Sequence, residues 1–271
     1  MVFTIAGCSS GTAVEDAATK YFAEFPGNRI VNWTDLFAKI DAGDEPFILS
    51  IRQADVYDAG HVKGAYLAAW GEDLASKVSM LPTDETVYVY CYTGQTAGQT
   101  VALLNMLGID AVSVKSGYNS GFMMQEGYEA YVETTANELP DAGAKFDKKV
   151  LEYVEEYFNT VADNANNIIA SDAAKPLIDA GDVVVVDIRS AADYDAAHIA
   201  GAVNIPFGEN MQENFTNLPT DKKIVVTCYS GQTAGQTIAV MRALGYNAVS
   251  LKSGMNGWTS FVKSAAANAY F

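Results

Sequence analysis

Two cysteines lie in nearly identical surroundings, and their spacing indicates a duplicated reactive site. Cys91 begins the stretch CYTGQTAGQT and Cys228 begins CYSGQTAGQT, so the two ten-residue stretches differ only in Thr93 against Ser230. Each follows an apolar run typical of a strand and leads into a run typical of a helix. Backbone N–H groups of a tight loop at a helix N-terminus favour a negatively charged sulfur without a histidine base. The pattern therefore predicts two nucleophilic thiolates.

The residues that follow each cysteine are the candidates for holding a substrate. Gly94 and Gly231 are predicted to adopt positive φ or to allow close approach of the backbone. Thr96 and Thr233 offer hydroxyl donors where each loop closes on itself. The predicted substrate-binding set is Tyr92, Thr93, Gly94, Gln95 and Thr96 in the first loop, and Tyr229, Ser230, Gly231, Gln232 and Thr233 in the second.

The offset of 137 residues between the cysteines (228 − 91) holds well beyond the loops, and it becomes 138 upstream, where IDAGD at 40–44 matches IDAGD at 178–182. The offset of 137 pairs Arg52 with Arg189 and His61 with His198. Two homologous units of this size indicate two domains rather than a solenoid, whose repeats are shorter. We predict domains over residues 13–138 and 150–271, joined by a linker over 139–149.

Within each unit, apolar runs alternate with helical patterns. The run VVVVDI at 183–188 suits a strand buried on both faces. Because no hairpin signal interrupts the alternation, parallel βαβ units and an α/β sheet covered on both faces are predicted. Thr34 and Ser171 are candidate helix N-caps. The patterns VEDAATKYFAEF and KVLEYVEEYFNTV indicate that each domain begins with a helix.

The composition of the chain excludes some classes of binding partner. The 271 residues are 49% hydrophobic, and no apolar run is long enough to span a bilayer. With a net charge of -16 the surface repels nucleic acid and anionic lipid headgroups, so neither is expected as a partner. No cysteine has a second Cys or a His at ligand spacing, so we predict no metal site and no cofactor.

The ordered set of motifs resembles the rhodanese family of sulfurtransferases, in tandem. In the second unit the marks are Asp187-Ile188-Arg189, the stretch HIAGAVNIP from His198, Cys228 with its loop, and Ser253-Gly254. The resemblance implies an α/β fold of two rhodanese-like domains, each a five-stranded parallel sheet flanked by helices. It places the cysteine loop at the carboxyl end of a central strand, where open α/β sheets bind ligands.

The resemblance also implies a chemistry. Cys91 and Cys228 would be catalytic: each thiolate attacks a small anionic sulfane-sulfur donor such as thiosulfate, and the persulfide passes its sulfur to a thiol, cyanide or sulfite. Lys115 and Lys252 follow the last strand, which the family places beside the loop. They are expected either to bind the anionic donor or to be solvated surface lysines.

Five further residues are expected to support the site rather than react. A histidine in the motif HxxGA fixes a turn by hydrogen bonding to the backbone, and the arginines serve as structural ion-pair partners. These supporting residues are Arg52, His61, Asp187, Arg189 and His198. Ser50 stands where the second unit has Asp187, so the Cys228 site is expected to be the more active one.

Three other functions compete with this interpretation. Dual-specificity phosphatases of the cell-cycle type share the fold but need a longer loop with an arginine that clamps phosphate, and neither loop has a basic residue. A nucleotide-binding P-loop would need a lysine that GQTAGQT lacks. A protein that holds a persulfide or polysulfide for a partner without turnover stays open as the alternative.

Cys8 stands apart from the repeat. Ile5-Ala6-Gly7-Cys8 resembles the lipobox of bacterial lipoproteins, in which the cysteine is lipidated. Residues 1–12 are then a truncated signal and tether, and the protein is an extracytoplasmic, lipid-anchored lipoprotein whose only membrane contact is that anchor. The alternative is that Cys8 falls in a disordered terminus by chance.

Overall fold

Strands and helices alternate along the first half of the chain, as the apolar periodicity predicts. A computed structural model describes residues 12–25 and 27–268. The elements of the first half are α1 (Thr12–Ala23), β1 (Ile30–Val31), α2 (Trp33–Ala42), β2 (Phe47–Ser50), α3 (Ala54–Asp58), β3 (His61–Val62), β4 (Ala65–Leu67), α4 (Glu72–Lys77), β5 (Val87–Tyr90), α5 (Gln95–Met106), β6 (Ala111–Val114), α6 (Gly117–Ser120) and β7 (Val132–Glu133).

The second half repeats this order without counterparts of β3, α4 and β7. Its elements are α7 (Lys148–Thr160), β8 (Ile168–Ile169), α8 (Ser171–Ala180), β9 (Val183–Asp187), α9 (Ala191–Ala196), β10 (Val203–Asn204), β11 (Lys223–Thr227), α10 (Gln232–Ala243), β12 (Ala248–Leu251) and α11 (Gly254–Asn268). Short 3₁₀ helices lie at Val78–Met80, Phe122–Met124, Tyr128–Tyr131, Ala165–Asn167 and Met211–Asn217. Helix α7 begins at Lys148, inside the predicted linker at 139–149, while residues 139–147 hold no helix or strand; the domain boundaries themselves stay a prediction.

Each half forms a five-stranded parallel sheet, which confirms the predicted fold. The strand orders are β1-β6-β5-β2-β4 and β8-β12-β11-β9-β10, so equivalent strands occupy equivalent places. The strands that lead to the cysteines, β5 and β11, lie at the centre of their sheets between two parallel neighbours. A small antiparallel pair of β3 and β7 was not predicted, because two residues in each strand leave no alternating pattern to detect.

The predicted N-caps, Thr34 and Ser171, were wrong by two positions in the first unit and by one in the second. Helix α2 begins at Trp33, so its N-cap is Asn32, whose backbone N–H donates to the Asp35 carboxylate at 3.4 Å. Helix α8 begins at Ser171 itself, after Ala170. In both units a single residue separates the first strand from the helix, so the end of the strand rather than a hydroxyl side chain fixes where the helix starts.

The main hydrophobic core is shared by the two halves. It contains buried residues of both sheets and of the four helices α1, α5, α7 and α10. Two smaller clusters cover the outer faces of the sheets, one beneath Trp33 and Phe37 and one beneath Ala174 and Ile199. The helices that follow the cysteine loops, α5 and α10, pack directly against each other within this shared core.

The leading helix of each half packs on the other half. Phe22 of α1 meets the rings of Phe207 and Phe215 in the second unit. Phe158 of α7 meets the ring of Trp70 in the first unit. The two predicted helices are therefore present, and each contacts the opposite unit, although α1 packs on α5 of its own unit as well. None of the helices among the described residues is long and apolar enough to cross a membrane.

Candidate active site

Cys91 lies at the carboxyl end of β5, immediately before α5. Its Sγ accepts hydrogen bonds from the backbone N–H groups of Gly94 at 3.1 Å and Ala97 at 3.4 Å. The thiol side chain is buried, with 2% of the residue exposed. Gly94 has φ of 93°, as predicted, and this left-handed conformation turns its N–H toward the sulfur. Two peptide dipoles and the start of a helix thus point at Sγ, which stabilises negative charge there.

Cys228 has the same surroundings at the end of β11. Its Sγ accepts a hydrogen bond from the backbone N–H of Gly231 at 3.0 Å, and 2% of the residue is exposed. Gly231 has φ of 98°. The two loops therefore repeat in geometry as well as in sequence.

A turn after the last strand closes each loop from the side. In the first unit Tyr118 N donates to the Cys91 carbonyl at 2.8 Å. In the second unit Met255 N donates to the Cys228 carbonyl at 2.7 Å. Gly117 and Gly254 begin these turns so close to the loops that a Cβ there would lie 2.6 and 2.4 Å from the respective cysteine carbonyl oxygen. Only glycine allows the approach.

Gln95 and Gln232 do not face their own loops. Both side chains are buried, at 4% and 3% exposure, and both amides hydrogen-bond to the opposite unit. Both amides are thus occupied by these contacts, and a role in binding substrate stays a prediction. Each is the first residue of a helix that packs on its counterpart, and this packing carries the amide into the other half of the protein.

The remaining loop residues lie at the rim. Thr93 and Ser230 are exposed, and Thr96 and Thr233 are half-buried in the first turns of their helices. The Tyr92 hydroxyl accepts from Gln53 N at 3.1 Å.

Tyr229 is 48% exposed and donates its hydroxyl proton to the Asp193 carboxylate. Hydrogen bonds from Ser190 and Tyr229 hold the pKa of Asp193 below its usual value. These rim side chains are exposed or half-buried, whereas the loop glycines and the glutamine amides are buried.

Lys115 and Lys252 directly follow β6 and β12. Both are exposed, and neither forms an ion pair with any residue that the structure describes. Each stands two residues before the turn glycine that touches a cysteine carbonyl. That they bind an anionic donor stays a prediction.

The two supporting arginines differ between the units. Arg189 forms a two-pronged ion pair with Asp187, with Nε to Oδ1 at 3.0 Å and Nη2 to Oδ2 at 2.6 Å. Arg52 was expected to form an ion pair as well, but no acidic partner is recorded for it within the described residues. Ser50 occupies the place of the aspartate, and the Arg52 guanidinium instead stacks 3.7 Å from the ring centre of Tyr118 and donates to the Gly60 carbonyl.

The histidines stabilise turns in both units. His61 Nδ1 lies 2.9 Å from the Tyr57 carbonyl and its ring stacks on Tyr57 at 3.7 Å. His198 Nδ1 lies 2.7 Å from the Tyr194 carbonyl and its ring stacks on Tyr194 at 3.8 Å. These contacts are those of structural residues. No group of three or more His, Cys, Asp or Glu side chains suited to a metal ion occurs in the described parts of the chain.

Sequence reasoning missed two buried serines, Ser113 and Ser250. Each lies in the last strand of its sheet, with no measurable exposure, and accepts a hydrogen bond from the glutamine of the other unit. The signal was present, because both strands, AVSV and AVSL, carry a serine among apolar residues at the same place. A buried hydroxyl needs a hydrogen-bond partner, which here comes from across the interface.

Comparison with known proteins agrees with this geometry. Residues 33–134 and 170–261 match the family described as the Rhodanese-like domain. The chain is 30% identical to a sulfurtransferase of Allochromatium vinosum over 34% of its own length and 87% of that protein. It is 27% identical to the putative sulfur carrier protein YrkF of Bacillus subtilis over 48% of its length and 72% of that protein.

Some curated relatives are matched over a smaller share of their own length. The chain covers 31% of the probable adenylyltransferase/sulfurtransferase MoeZ of Mycobacterium tuberculosis, at 29% identity. Among solved structures, SseA of Escherichia coli, described as a 3-mercaptopyruvate sulfotransferase, shares 20% identity over 82% of this chain and 97% of its own, with a TM-score of 0.38. The two family matches together span most of the chain. The chain belongs to the rhodanese family and carries two rhodanese-like domains.

Proposed function

We propose that Cys91 and Cys228 move sulfane sulfur, as cysteine persulfides, from thiosulfate or a related anionic donor to a thiol or cyanide acceptor. The observation that supports this most directly is the position of each Sγ at a helix start, 3.1 or 3.0 Å from the N–H of the loop glycine. That position favours a thiolate and, after transfer, a negatively charged outer sulfur. Membership of a family with sulfurtransferases and a sulfur carrier among its relatives supports the coarser assignment.

The proposed reaction has two balanced steps. The cysteine thiolate attacks the outer sulfur of thiosulfate, a new S–S bond forms at Sγ, and the bond to the sulfonate sulfur breaks. Sulfite leaves with the electron pair of that bond, so the cysteine persulfide keeps a single negative charge. The acceptor thiolate or cyanide then attacks the outer sulfur and returns the cysteine to a thiolate.

Lys115 and Lys252 would attract the donor. With a net charge of -16 the whole molecule repels a dianion at long range, so a local cation beside each loop is needed to offset that repulsion. Both lysines are exposed next to the turn that contacts the cysteine. We expect Lys252→Gln to raise the KM for thiosulfate with little change in kcat, because the lysine would bind the donor equally in the ground state and in the transition state.

Turnover measurements test the proposal. Thiosulfate:cyanide sulfurtransferase activity should fall in Cys91→Ser and in Cys228→Ser, with the larger loss in the second, and should vanish in the double variant. Cys8→Ser serves as the matched control and should leave activity intact. Full activity in the double variant would refute the assignment of both cysteines.

A sulfur carrier without turnover is the second candidate. It is favoured by the name of the Bacillus subtilis relative and by the lack of any basic residue within either loop. Stoichiometric loading of both cysteines, with release only to a protein thiol and no turnover with cyanide, would support the carrier over the enzyme.

A lipid anchor at Cys8 and an extracytoplasmic location are proposed on the sequence alone, since Cys8 lies outside the described residues. The support is the resemblance of Ile5-Ala6-Gly7-Cys8 to a lipobox. Labelling of expressing bacteria with a fatty-acid probe should mark the protein and fail to mark Cys8→Ser. Equal labelling of both proteins would refute the anchor.

A further inference from the structure

The side chain of Gln95 crosses from the first cysteine loop into the second unit. Its Nε2 donates to Ser250 Oγ at 2.7 Å and to the Leu251 carbonyl at 3.1 Å. Its Oε1 accepts from Ser253 N at 3.3 Å. One amide thus engages three successive parts of the segment that leads from the last strand to the turn beside Cys228.

Gln232 makes the same crossing in reverse. Its Nε2 donates to Ser113 Oγ at 2.8 Å and to the Val114 carbonyl at 3.2 Å. Its Oε1 accepts from Ser116 N at 3.1 Å. The amide is fully used, and it engages the segment that leads to the turn beside Cys91.

The residues that receive these bonds hold the cysteine loops. Ser116 and Ser253 have φ of 60° and 58°, a left-handed conformation that serine adopts only when its surroundings impose it. Two residues after them, Tyr118 N and Met255 N donate to the carbonyls of Cys91 and Cys228 at 2.8 and 2.7 Å. The turn that fixes each cysteine is therefore held in place by the glutamine of the opposite unit.

A second contact joins the same pairs. A Cβ added to Gly94 would lie 2.8 Å from Gln232 Oε1, and one added to Gly231 would lie 2.8 Å from Gln95 Cδ. Gly94 and Gly231 are the residues whose N–H groups donate to the cysteine sulfurs. Each glutamine thus packs on the N–H donor of the other unit's thiol and also bonds to the turn beside it.

We propose that Gln95 is a positioning residue for Cys228, and that Gln232 is a positioning residue for Cys91. Each thiol depends on the opposite unit for its reactive geometry, although the glutamine belongs in sequence to the other cysteine's loop. This inference rests on the proposed function only in taking the two cysteines as the reacting groups.

The test compares the two cysteines within one molecule. In a Cys8→Ser background, Gln95→Met keeps the length of the side chain but removes its hydrogen bonds. The rate of reaction with iodoacetamide at each cysteine is read by peptide mass spectrometry. Gln95→Met should slow Cys228 about tenfold and Cys91 less than about twofold, since the lost hydrogen bonds act on one turn. Gln232→Met should give the opposite pattern.

Gln99→Met is the matched control. Gln99 lies one turn further along the same helix and also bonds across the interface, to the Tyr157 hydroxyl at 2.7 Å and the Asn166 carbonyl at 3.0 Å. It reaches neither cysteine turn, so the ratio of the two rates should stay within about twofold of the parent. If Gln95→Met fails to fold, Ser250→Ala removes one of the same hydrogen bonds and should slow Cys228 in the same direction.

Two outcomes would overturn the inference. One is that Gln95→Met slows Cys91 as much as Cys228, which is what a general loosening of the interface would do. The other is an unchanged ratio in both Gln95→Met and Gln232→Met. Failure of both cysteines to accept sulfur from thiosulfate, with the crossed alkylation pattern intact, would refute the proposed function and leave this inference supported.

Discussion

The clearest difference between the two sites is one buried position at the end of a strand. Asp187 binds Arg189 through both carboxylate oxygens, whereas Ser50 leaves Arg52 to the ring of Tyr118. The substitution was visible in the sequence, but its compensation was not. Tyr118 lies far from Arg52 along the chain, and only the fold brings the ring within 3.7 Å of the guanidinium.

Asp187→Ser tests how much the ion pair between Asp187 and Arg189 contributes to the stability of the protein. The change removes the carboxylate that binds both prongs of the buried Arg189 guanidinium, and the ring of Tyr229, 6.0 Å away, is too far to replace it. We expect the free energy of unfolding to fall by about 3 kcal/mol, because removal of one partner of a buried pair strands the other charge. Urea unfolding measures it, and the exposed Asp182→Ser should change stability by less than about 0.5 kcal/mol. Equal effects of the two variants would contradict the account.

At the scale of elements, the contact between α5 and α10 brings the two loops together. A Cβ on Gly98 would lie 2.2 Å from the Gln232 carbonyl oxygen, and one on Gly235 would lie 2.4 Å from the Gln95 carbonyl oxygen. The sequence predicted both helices and the φ of the loop glycines. It did not predict this contact, because a glycine inside a helix pattern does not reveal which backbone approaches it.

Gly98→Ala should therefore destabilise the protein. The methyl group meets a carbonyl oxygen of the opposite helix, so the two helices must move apart, at a cost of about 1–3 kcal/mol. Gly208→Ala is the control, because a Cβ there has nothing within 4 Å. Thermal unfolding measures the stability of both variants. If Gly98→Ala were as stable as Gly208→Ala, the close packing of the two helices would be contradicted.

Helices α1 and α7, which contact the opposite unit, carry buried tyrosines that make the structure sensitive to alkali. Burial raises the pKa of Tyr21 and of Tyr157, and it raises the pKa of Tyr90 to about 12. The Tyr21 hydroxyl donates to Gln236 and that of Tyr157 to Gln99, each across the interface. The amphipathic patterns predicted these helices but not their partners, since a pattern specifies an apolar face and not the surface that covers it.

The pH dependence of stability follows in sign from those shifts. The folded protein keeps its tyrosine protons where the unfolded chain loses them, so stability is full below about pH 10 and is lost as pH rises above it. Above pH ~10 the free energy of unfolding therefore falls with pH. Tyr21→Phe should make this fall less steep by up to about 1.4 kcal/mol per pH unit, because one fewer proton is released on unfolding. Urea unfolding between pH 9 and pH 11.5 (on the order of two to three pH units across the transition) measures the slope. An unchanged slope would contradict the burial of Tyr21.

At the scale of the whole molecule, the two units form one folding unit. Their sheets share a single main core, and each leading helix covers the other half. The repeat predicted two similar units correctly, but nothing in either copy showed that they fold together. The shared core lies between residues far apart in the chain, so no local pattern records it.

A single unfolding transition is expected. Calorimetric and van't Hoff enthalpies of the full chain should agree, because neither half can lose its core while the other keeps its own. Gly98→Ala in the first half and Gly235→Ala in the second should each lower the midpoint temperature of the single transition. Two separate transitions, with each variant shifting only one, would show that the halves fold independently.

The central claim is that Cys91 and Cys228 carry sulfur, and intact-mass analysis after incubation with thiosulfate or polysulfide tests it most directly. Each persulfide adds one sulfur atom, about 32 Da. The account predicts two additions on the unmodified chain, one on Cys91→Ser or Cys228→Ser, and none on the double variant, with each addition removed by a thiol. No gain of mass on either cysteine with any sulfane donor would contradict it.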